Sequence, residues 1–162
     1  MSVRVLVVED EALAAEAHAS YVERVPGFAL AGVARSAREA VRALETAEAA
    51  GEPVDLVLLD MHLPDGHGLG LLTALRGAGH LCDVIAVTAA RDTKVVRQAV
   101  VQGVVLYLLK PFTFATFRAK AGAVRRVPRP PRRRPRRGGP GRGRPGSSAR
   151  CAPPAARRCP RG

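Results

Sequence analysis

Short apolar runs alternate with longer segments of mixed polarity along most of this 162-residue chain. The runs are rich in valine and leucine, and nearly every position within them is apolar. Such runs predict strands that are buried on both faces, as in a parallel sheet. The predicted strands span residues 3–8, 28–34, 54–59, 84–88 and 104–109.

The segments between the runs place apolar residues at helical spacing. In the clearest of them, Ser36 and Glu39 have the spacing of a capping box, and an apolar face follows. Gly103 is a suitable end for one helix, and Thr113 is a suitable N-cap for the next. The predicted helices span residues 11–25, 37–51, 68–76, 93–102 and 113–126.

Alternation of strands and helices predicts right-handed crossovers and a sheet with helices on both faces. The predicted fold class is therefore α/β, a doubly wound parallel sheet of five strands, followed by a disordered tail. Ligands of such sheets bind beyond the carboxyl ends of the strands. The residues that directly follow the apolar runs are therefore the first candidates for a functional site.

Charge is distributed very unevenly along the chain. Residues 1–126 carry equal numbers of acidic and basic residues, whereas residues 127–162 contain 12 Arg, 9 Pro and no acidic residue. A segment of that composition cannot build an apolar core, so we expect it to be disordered. The predicted organisation is one domain over residues 1–125 and a tail over residues 126–162.

The cysteines and the N-terminus bear on the cellular compartment. The 3 cysteines show no framework spacing, which favours a reduced, intracellular protein. The first apolar run is too short for a signal peptide or a membrane span. We therefore expect a cytoplasmic protein that makes no contact with a membrane.

Acidic, hydroxyl and amine side chains follow the predicted strands. They are Glu9, Asp10, Asp60, Thr88 and Lys110. Each alone is more often a solvated loop residue, a helix cap or part of a turn. Their coincidence at successive strand ends favours one shared site.

The chemistry of this set fits phosphoryl transfer. Clustered carboxylates repel one another unless a cation neutralises them, and hard oxygen ligands suit Mg²⁺. A carboxylate can attack phosphorus, while an amine and a hydroxyl stabilise the oxygens of the transferred group.

Four motifs resemble the receiver domain of bacterial two-component response regulators. They are VVEDE at 7–11, LLDMHLPDGHGL at 58–69, VTAA at 87–90 and GVVLYLLKPF at 103–112. The resemblance covers about the first 125 residues and implies a flavodoxin-like receiver fold. The second and fourth motifs are most similar to regulators of the citrate and C4-dicarboxylate sensing class.

This resemblance implies roles for individual residues. Asp60 is the expected phosphoacceptor, assisted by Lys110 and Thr88. The expected Mg²⁺ ligands are Asp10, Asp60, Glu9 through water, and the main-chain carbonyl of His62. No other cofactor is implied.

The resemblance also implies a switch and a cis bond. Thr88 and Tyr107 are expected to form the switch, with the Tyr107 ring turning inward when Thr88 moves. The Lys110–Pro111 peptide bond is expected to be cis. The switching face is expected to comprise residues 93–104 and 107–118, where phosphorylation is expected to favour a homodimer.

The implied partner is a sensor histidine kinase, and the implied family role is transcription regulation. The protein is then a signalling protein and not an enzyme, although the receiver promotes its own phosphoryl transfer and dephosphorylation. His18, His67 and His80 lack metal-ligand spacing, and we expect them on the surface. Met61 and Cys82 are expected in the core.

The tail leaves two functions open. Regulators of this class normally continue into a helix-turn-helix DNA-binding domain, but the tail has no pair of amphipathic helices, which puts sequence-specific DNA binding in doubt. One hypothesis is that a reading-frame shift in a GC-rich gene replaced that domain. The alternative function is a basic-tailed protein that binds nucleic acid without sequence specificity under control of the receiver.

Overall fold

Strands and helices alternate along the computed structural model, which describes residues 2–89, 101 and 103–124. The strands are β1 (Val3–Val8), β2 (Phe28–Ala34), β3 (Leu56–Asp60), β4 (His62–Leu63), β5 (Gly66–His67), β6 (Asp83–Ala89) and β7 (Leu106–Lys110). The helices are α1 (Ala12–Arg24), α2 (Ala37–Ala49), α3 (Gly68–Gly77) and α4 (Phe114–Val124). No helix in these described ranges is long and apolar enough to cross a membrane.

The main sheet has five parallel strands in the order β2-β1-β3-β6-β7. Asp60 pairs with Val87, and Ala89 pairs with Lys110, so the carboxyl ends of β3, β6 and β7 lie at the same edge. The predicted parallel sheet is confirmed. A separate two-stranded antiparallel hairpin, β4 with β5, follows Asp60 and was not predicted.

Two apolar cores cover the two faces of the sheet. On one face, Leu6 and Leu59 pack in a cluster with residues of α2 and α3. On the other, Val7 and Leu58 pack in a cluster with residues of α1 and α4, including the fully buried Phe117. Successive residues of a strand point to opposite faces, which is why the strands at the centre of the sheet are apolar at most positions. The doubly wound arrangement is therefore confirmed.

The element ends differ slightly from the predictions. β3 begins at Leu56 and β7 at Leu106, two residues later than predicted in each case. α4 continues through Gly122 to Val124, and the Thr113 hydroxyl accepts a hydrogen bond from the Thr116 N–H at 3.3 Å, as expected of its N-cap. The described residues leave out the predicted helix over residues 93–102, apart from Val101, and the tail over residues 126–162. The frame-shift hypothesis concerns that tail and therefore also lies outside what the structure describes.

The N-terminus of α2 is tied to the loop that follows Asp60. Ser36 accepts a hydrogen bond from the Glu39 N–H at 3.2 Å, but the Glu39 carboxylate reaches back to Arg35. The Asp65 carboxylate accepts the N–H groups of Ala37 at 2.8 Å and Arg38 at 3.0 Å.

The hydrogen bond from the Ala37 N–H is the main cause that holds the pKa of the Asp65 carboxyl below its ordinary value of 3.8. The hydrogen bond from the Arg38 N–H is the second cause. The stability that Asp65 contributes is therefore present above pH 3.8 and is lost as the pH falls through the lowered folded pKa. In an NMR titration, we expect the Ala37 and Arg38 amide resonances to move with a midpoint below 3.8. Asp65→Asn should remove this titration, and a midpoint above 3.8 in the unmodified protein would contradict the assignment.

Candidate acidic pocket at the carboxyl edge of the sheet

Three carboxylates converge where β1 and β3 end. Glu9, Asp10 and Asp60 each offer an oxygen within 4.8 Å of the others, and we call this group the acidic pocket. Glu9 and Asp60 are buried, with 1% and 4% of their surface exposed, whereas Asp10 is exposed. The acidic pocket could hold a metal ion, because carboxylate oxygens so close together repel one another without a cation.

Lys110 reaches into the acidic pocket from the end of β7. Its Nζ lies 2.7 Å from Glu9 Oε2 and 2.7 Å from Asp60 Oδ2. Burial is the main cause that raises the pKa of Glu9 above its ordinary value, and the Asp60 charge adds to it against the opposing effect of Lys110. Burial alone would lower the pKa of Lys110, but the hydrogen bonds and charges of Asp60 and Glu9 outweigh it, and the pKa is raised.

The backbone around Asp60 holds its carboxylate in place. Asp60 Oδ1 accepts the N–H of His62 at 2.9 Å, while Oδ2 faces Lys110. The N–H of Met61 donates to the Val87 carbonyl of β6, and the Met61 carbonyl accepts the N–H of Gly68. Asp60 is therefore fixed between the neighbouring strand and the start of α3.

Gly68 packs directly on this backbone. A Cβ at Gly68 would lie 2.8 Å from the Met61 Cα and 2.9 Å from the Asp60 carbonyl oxygen. Both neighbours are main-chain atoms, so neither can rotate away.

We expect Gly68→Ala to lower the free energy of unfolding by about 1–3 kcal/mol because the loop must shift. Gly70→Ala is the matched control on the same helix, since a Cβ there meets nothing within 4 Å. Removing a helical glycine in open space should raise the free energy of unfolding by up to about 1 kcal/mol. Urea unfolding of both variants checks the signs, and a Gly68→Ala protein as stable as Gly70→Ala would show that the contact is unimportant.

The residues expected to act as a switch lie on β6 and β7. Thr88 is fully buried, and its hydroxyl lies 3.5 Å from the Ala89 carbonyl oxygen. Tyr107 is 41% exposed, with the Lys120 ammonium 4.9 Å from its ring centroid. The Lys110–Pro111 bond is cis, as predicted. The part of the expected switching face over residues 93–100 and residue 102 lies outside the described residues.

His18 was expected on the surface, and that expectation is wrong. Only 7% of its surface is exposed, and Nδ1 lies 3.5 Å from Glu9 Oε2. Burial is the main cause that lowers the pKa of His18, to about 4, and the nearby Lys110 charge acts in the same direction. Ala15, His18 and Val22 form the buried stripe of α1, and this i, i+3, i+7 spacing was the sequence signal that pointed inward.

Arg35 is a second side chain near the acidic pocket that the sequence did not suggest. Its Nε donates to the main-chain carbonyl of Asp10 at 3.1 Å, and its Nη2 donates to the same oxygen. Arg35 follows β2, the strand beside β1, so it holds the loop that carries Asp10. His67 is exposed, as predicted, and His62 is exposed as well.

Comparison with known proteins identifies the family to which this chain belongs. A family model described as the response regulator receiver domain matches residues 5–121, which include every strand-end residue of the site. The chain belongs to this family. Receivers of this family are phosphorylated on an aspartate by a kinase, and they occur in two-component response regulators of transcriptional type.

Curated relatives of this receiver are regulators of transcription. The chain is 38% identical over 125 residues to the transcriptional regulatory protein MalR of Bacillus subtilis, across 76% of this chain and 51% of MalR. It is 35% identical to the transcriptional regulatory protein DcuR of Escherichia coli, across 71% of this chain and 47% of DcuR. The "Probable C4-dicarboxylate response regulator DctR" of Halalkalibacterium halodurans is 38% identical, across 72% of this chain and 49% of DctR.

The chain thus spans about half the length of the curated relatives it matches. The resemblance to the C4-dicarboxylate sensing class, drawn from the motifs, is confirmed by these relatives.

Solved structures confirm the receiver fold. A CheY-like response regulator receiver domain protein from Methanospirillum hungatei superposes with a TM-score of 0.66 at 22% identity, over 76% of this chain and 94% of the other. The response regulator domain of Thermotoga maritima CheB gives a TM-score of 0.60 at 24% identity, over 76% and 91%.

Proposed function

We propose that this receiver accepts a phosphoryl group on Asp60 from a partner sensor histidine kinase, with Mg²⁺ bound in the acidic pocket. The observation that carries the proposal is the placement of Asp60. Its carboxylate is buried at the end of β3, lies beside two further carboxylates and contacts the ammonium of Lys110. A nucleophile, a cation and a set of metal ligands thus occupy one strand edge.

The donor set fits Mg²⁺. Three carboxylates and one ammonium leave the acidic pocket with excess negative charge, and all the carboxylate donors are hard oxygens of the kind that Mg²⁺ takes. Asp10 and Asp60 would hold the ion directly, Glu9 would hold it through water, and the His62 carbonyl would complete the protein ligands. The bound ion would offset the charge of the phosphoryl oxygens.

Each residue of the site would then have its own role in phosphoryl transfer. A carboxylate oxygen of Asp60 attacks phosphorus, an oxygen–phosphorus bond forms, and the bond between phosphorus and the donor nitrogen or oxygen breaks. The Lys110 ammonium is already 2.7 Å from Asp60 Oδ2 and would stabilise the phosphoryl oxygens. The Thr88 hydroxyl would donate to another phosphoryl oxygen, and its movement would draw Tyr107 inward.

The output of the protein is proposed at the level of its relatives. Their names describe transcriptional regulators and a C4-dicarboxylate response regulator, so we propose that phosphorylation of this receiver controls transcription in the cytoplasm. The domain division at residues 125–126 and a phosphorylation-dependent homodimer belong to the same proposal. Specific DNA binding would require sequence outside the receiver.

The experiment is to incubate the purified chain with acetyl phosphate and follow its intact mass. We expect one added phosphoryl group per chain in the presence of Mg²⁺ and none in EDTA. The product should survive acid and be removed by base, as an acyl phosphate is. Labelling that proceeds equally in EDTA, or that base does not remove, would rule out the proposed metal-assisted aspartyl chemistry.

A further inference from the structure

A buried histidine links the acidic pocket to the segment that carries Lys110. His18 Nδ1 lies 3.5 Å from Glu9 Oε2, and the His18 ring stacks on Phe112 with centroids 4.7 Å apart and planes inclined by 17°. Phe112 comes two residues after Lys110. His18 therefore contacts both a carboxylate of the acidic pocket and the chain segment that positions its cation.

Glu9 has few hydrogen-bond donors. Its Oε2 receives Lys110 Nζ at 2.7 Å, and its Oε1 accepts the N–H of Glu11 at 3.3 Å within its own loop. Among the described side chains, Lys110 and His18 are the two that bring a nitrogen atom close to Glu9 Oε2. Because Glu9 is 1% exposed, water cannot readily replace a donor that leaves.

The contact matters most when Lys110 moves. Lys110 is shared between Glu9 and Asp60 in this structure, and charge that develops on a phosphoryl group at Asp60 would draw the ammonium away from Glu9. A buried carboxylate that loses its hydrogen-bond donor is destabilised and tends to turn towards another donor. Nδ1 can carry a proton in the neutral ring, so the contact with Glu9 does not require His18 to ionise.

The surrounding rings keep His18 in place. Tyr21 lies one helical turn further along α1, and its ring is 6.5 Å from His18 and 6.1 Å from Phe112. Phe112 also approaches the fully buried Phe117, at 6.5 Å. This aromatic packing restricts the plane of the His18 ring and hence the direction in which its Nδ1 faces.

We propose that His18 is a positioning residue for Glu9, donating from Nδ1 to Glu9 Oε2 and keeping that carboxylate aimed into the acidic pocket, both in the unphosphorylated protein and when Lys110 engages the phosphoryl group. This inference rests on the proposed function. The role is indirect, because His18 acts on the metal through Glu9, as residues that orient metal ligands do.

Two substitutions test the hydrogen-bond donor of His18 and the bulk of its ring separately. His18→Asn places an amide nitrogen at the position of Nδ1 and so retains a donor, but it removes the stacking on Phe112. His18→Leu retains apolar bulk and removes the donor. The metal readout is the Mg²⁺ dissociation constant of the unphosphorylated protein, from NMR shifts of the His62 and Glu11 amides, and the second readout is the rate of labelling by acetyl phosphate at saturating Mg²⁺.

We expect His18→Leu to weaken Mg²⁺ binding by about tenfold and to slow labelling, and His18→Asn to stay within about threefold of the unmodified protein. Equal losses in both variants would show that the ring and not the donor matters, and unchanged binding in His18→Leu would also overturn the proposal. If the unmodified protein neither binds Mg²⁺ nor takes up label, the proposed function itself fails. Should His18→Leu not fold, His18→Met offers the same loss of the donor in a more adaptable side chain.

Discussion

Asp60→Asn should abolish the uptake of a phosphoryl group from acetyl phosphate or a partner kinase. Asn has the shape of Asp and can still accept the N–H of His62, which Asp60 Oδ1 accepts at 2.9 Å, so the loop should keep its fold. The amide lacks the charge that makes the carboxylate a nucleophile and a metal ligand. We therefore expect label to fall below detection, as measured by intact mass, while the thermal unfolding transition stays cooperative.

Asp83→Asn is the matched control. Asp83 begins β6 and pairs with Leu56 at the start of β3, so it lies at the end of the sheet opposite Asp60. Labelling of this variant should equal that of the unmodified protein. Base-labile label that persists in Asp60→Asn would place the acceptor elsewhere and overturn the assignment.

Asp60→Asn should also change the pKa of Glu9. The charge of Asp60 and the hydrogen bond between the two carboxyl groups are among the causes that raise the pKa of Glu9, after burial. Removing that charge should lower the pKa of Glu9, which NMR titration of the Glu9 side-chain carbon can measure. This readout tests the geometry of the acidic pocket independently of phosphoryl transfer.

Lys110→Met should destabilise the metal-free protein at neutral pH. It leaves Glu9 and Asp60 buried without the ammonium that contacts both. Breaking a fully buried ion pair costs about 3–5 kcal/mol, but 28% of the Lys110 side chain is exposed, so we expect the free energy of unfolding to fall by about 1–3 kcal/mol. Urea unfolding measures this loss.

The pH dependence of that loss follows from Glu9. Lys110 opposes the rise in the pKa of Glu9, so its removal raises that pKa further above the ordinary 4.5. A carboxyl whose folded pKa exceeds its unfolded pKa lowers stability as the pH rises through the window between them. The deficit of Lys110→Met should therefore shrink below pH 4.5 and reach its full size above the raised pKa.

Mg²⁺ and a control lysine complete the test. A cation in the acidic pocket should replace part of the lost charge, so Mg²⁺ should stabilise Lys110→Met more than the unmodified protein. Lys120→Met is the control, because the Lys120 ammonium contacts the Tyr107 ring and not the acidic pocket, and it should cost less than about 1 kcal/mol. A Lys110→Met protein as stable as Lys120→Met across the pH range would show that the ammonium does not hold the carboxylates.

Local patterns in the sequence determined the architecture and most of the acidic pocket. Runs such as 54–59 are apolar at every position but one because β3 is covered by a core on each face, so the pattern itself encodes a parallel sheet. Carboxyl ends of parallel strands lie at one edge, so Glu9, Asp60 and Lys110 could be grouped from their places after strands alone. The motif resemblance then supplied the expected role of each residue.

Only the tertiary structure decided which side chains meet. His18 belongs to α1 and Phe112 follows β7, so their stacking beside Glu9 depends on how the helix docks on the sheet. The capping of α2 by Asp65 likewise joins segments that are 28 residues apart. Periodicity reports which face of an element is buried, but contacts between distant segments depend on packing distances, which no local pattern records.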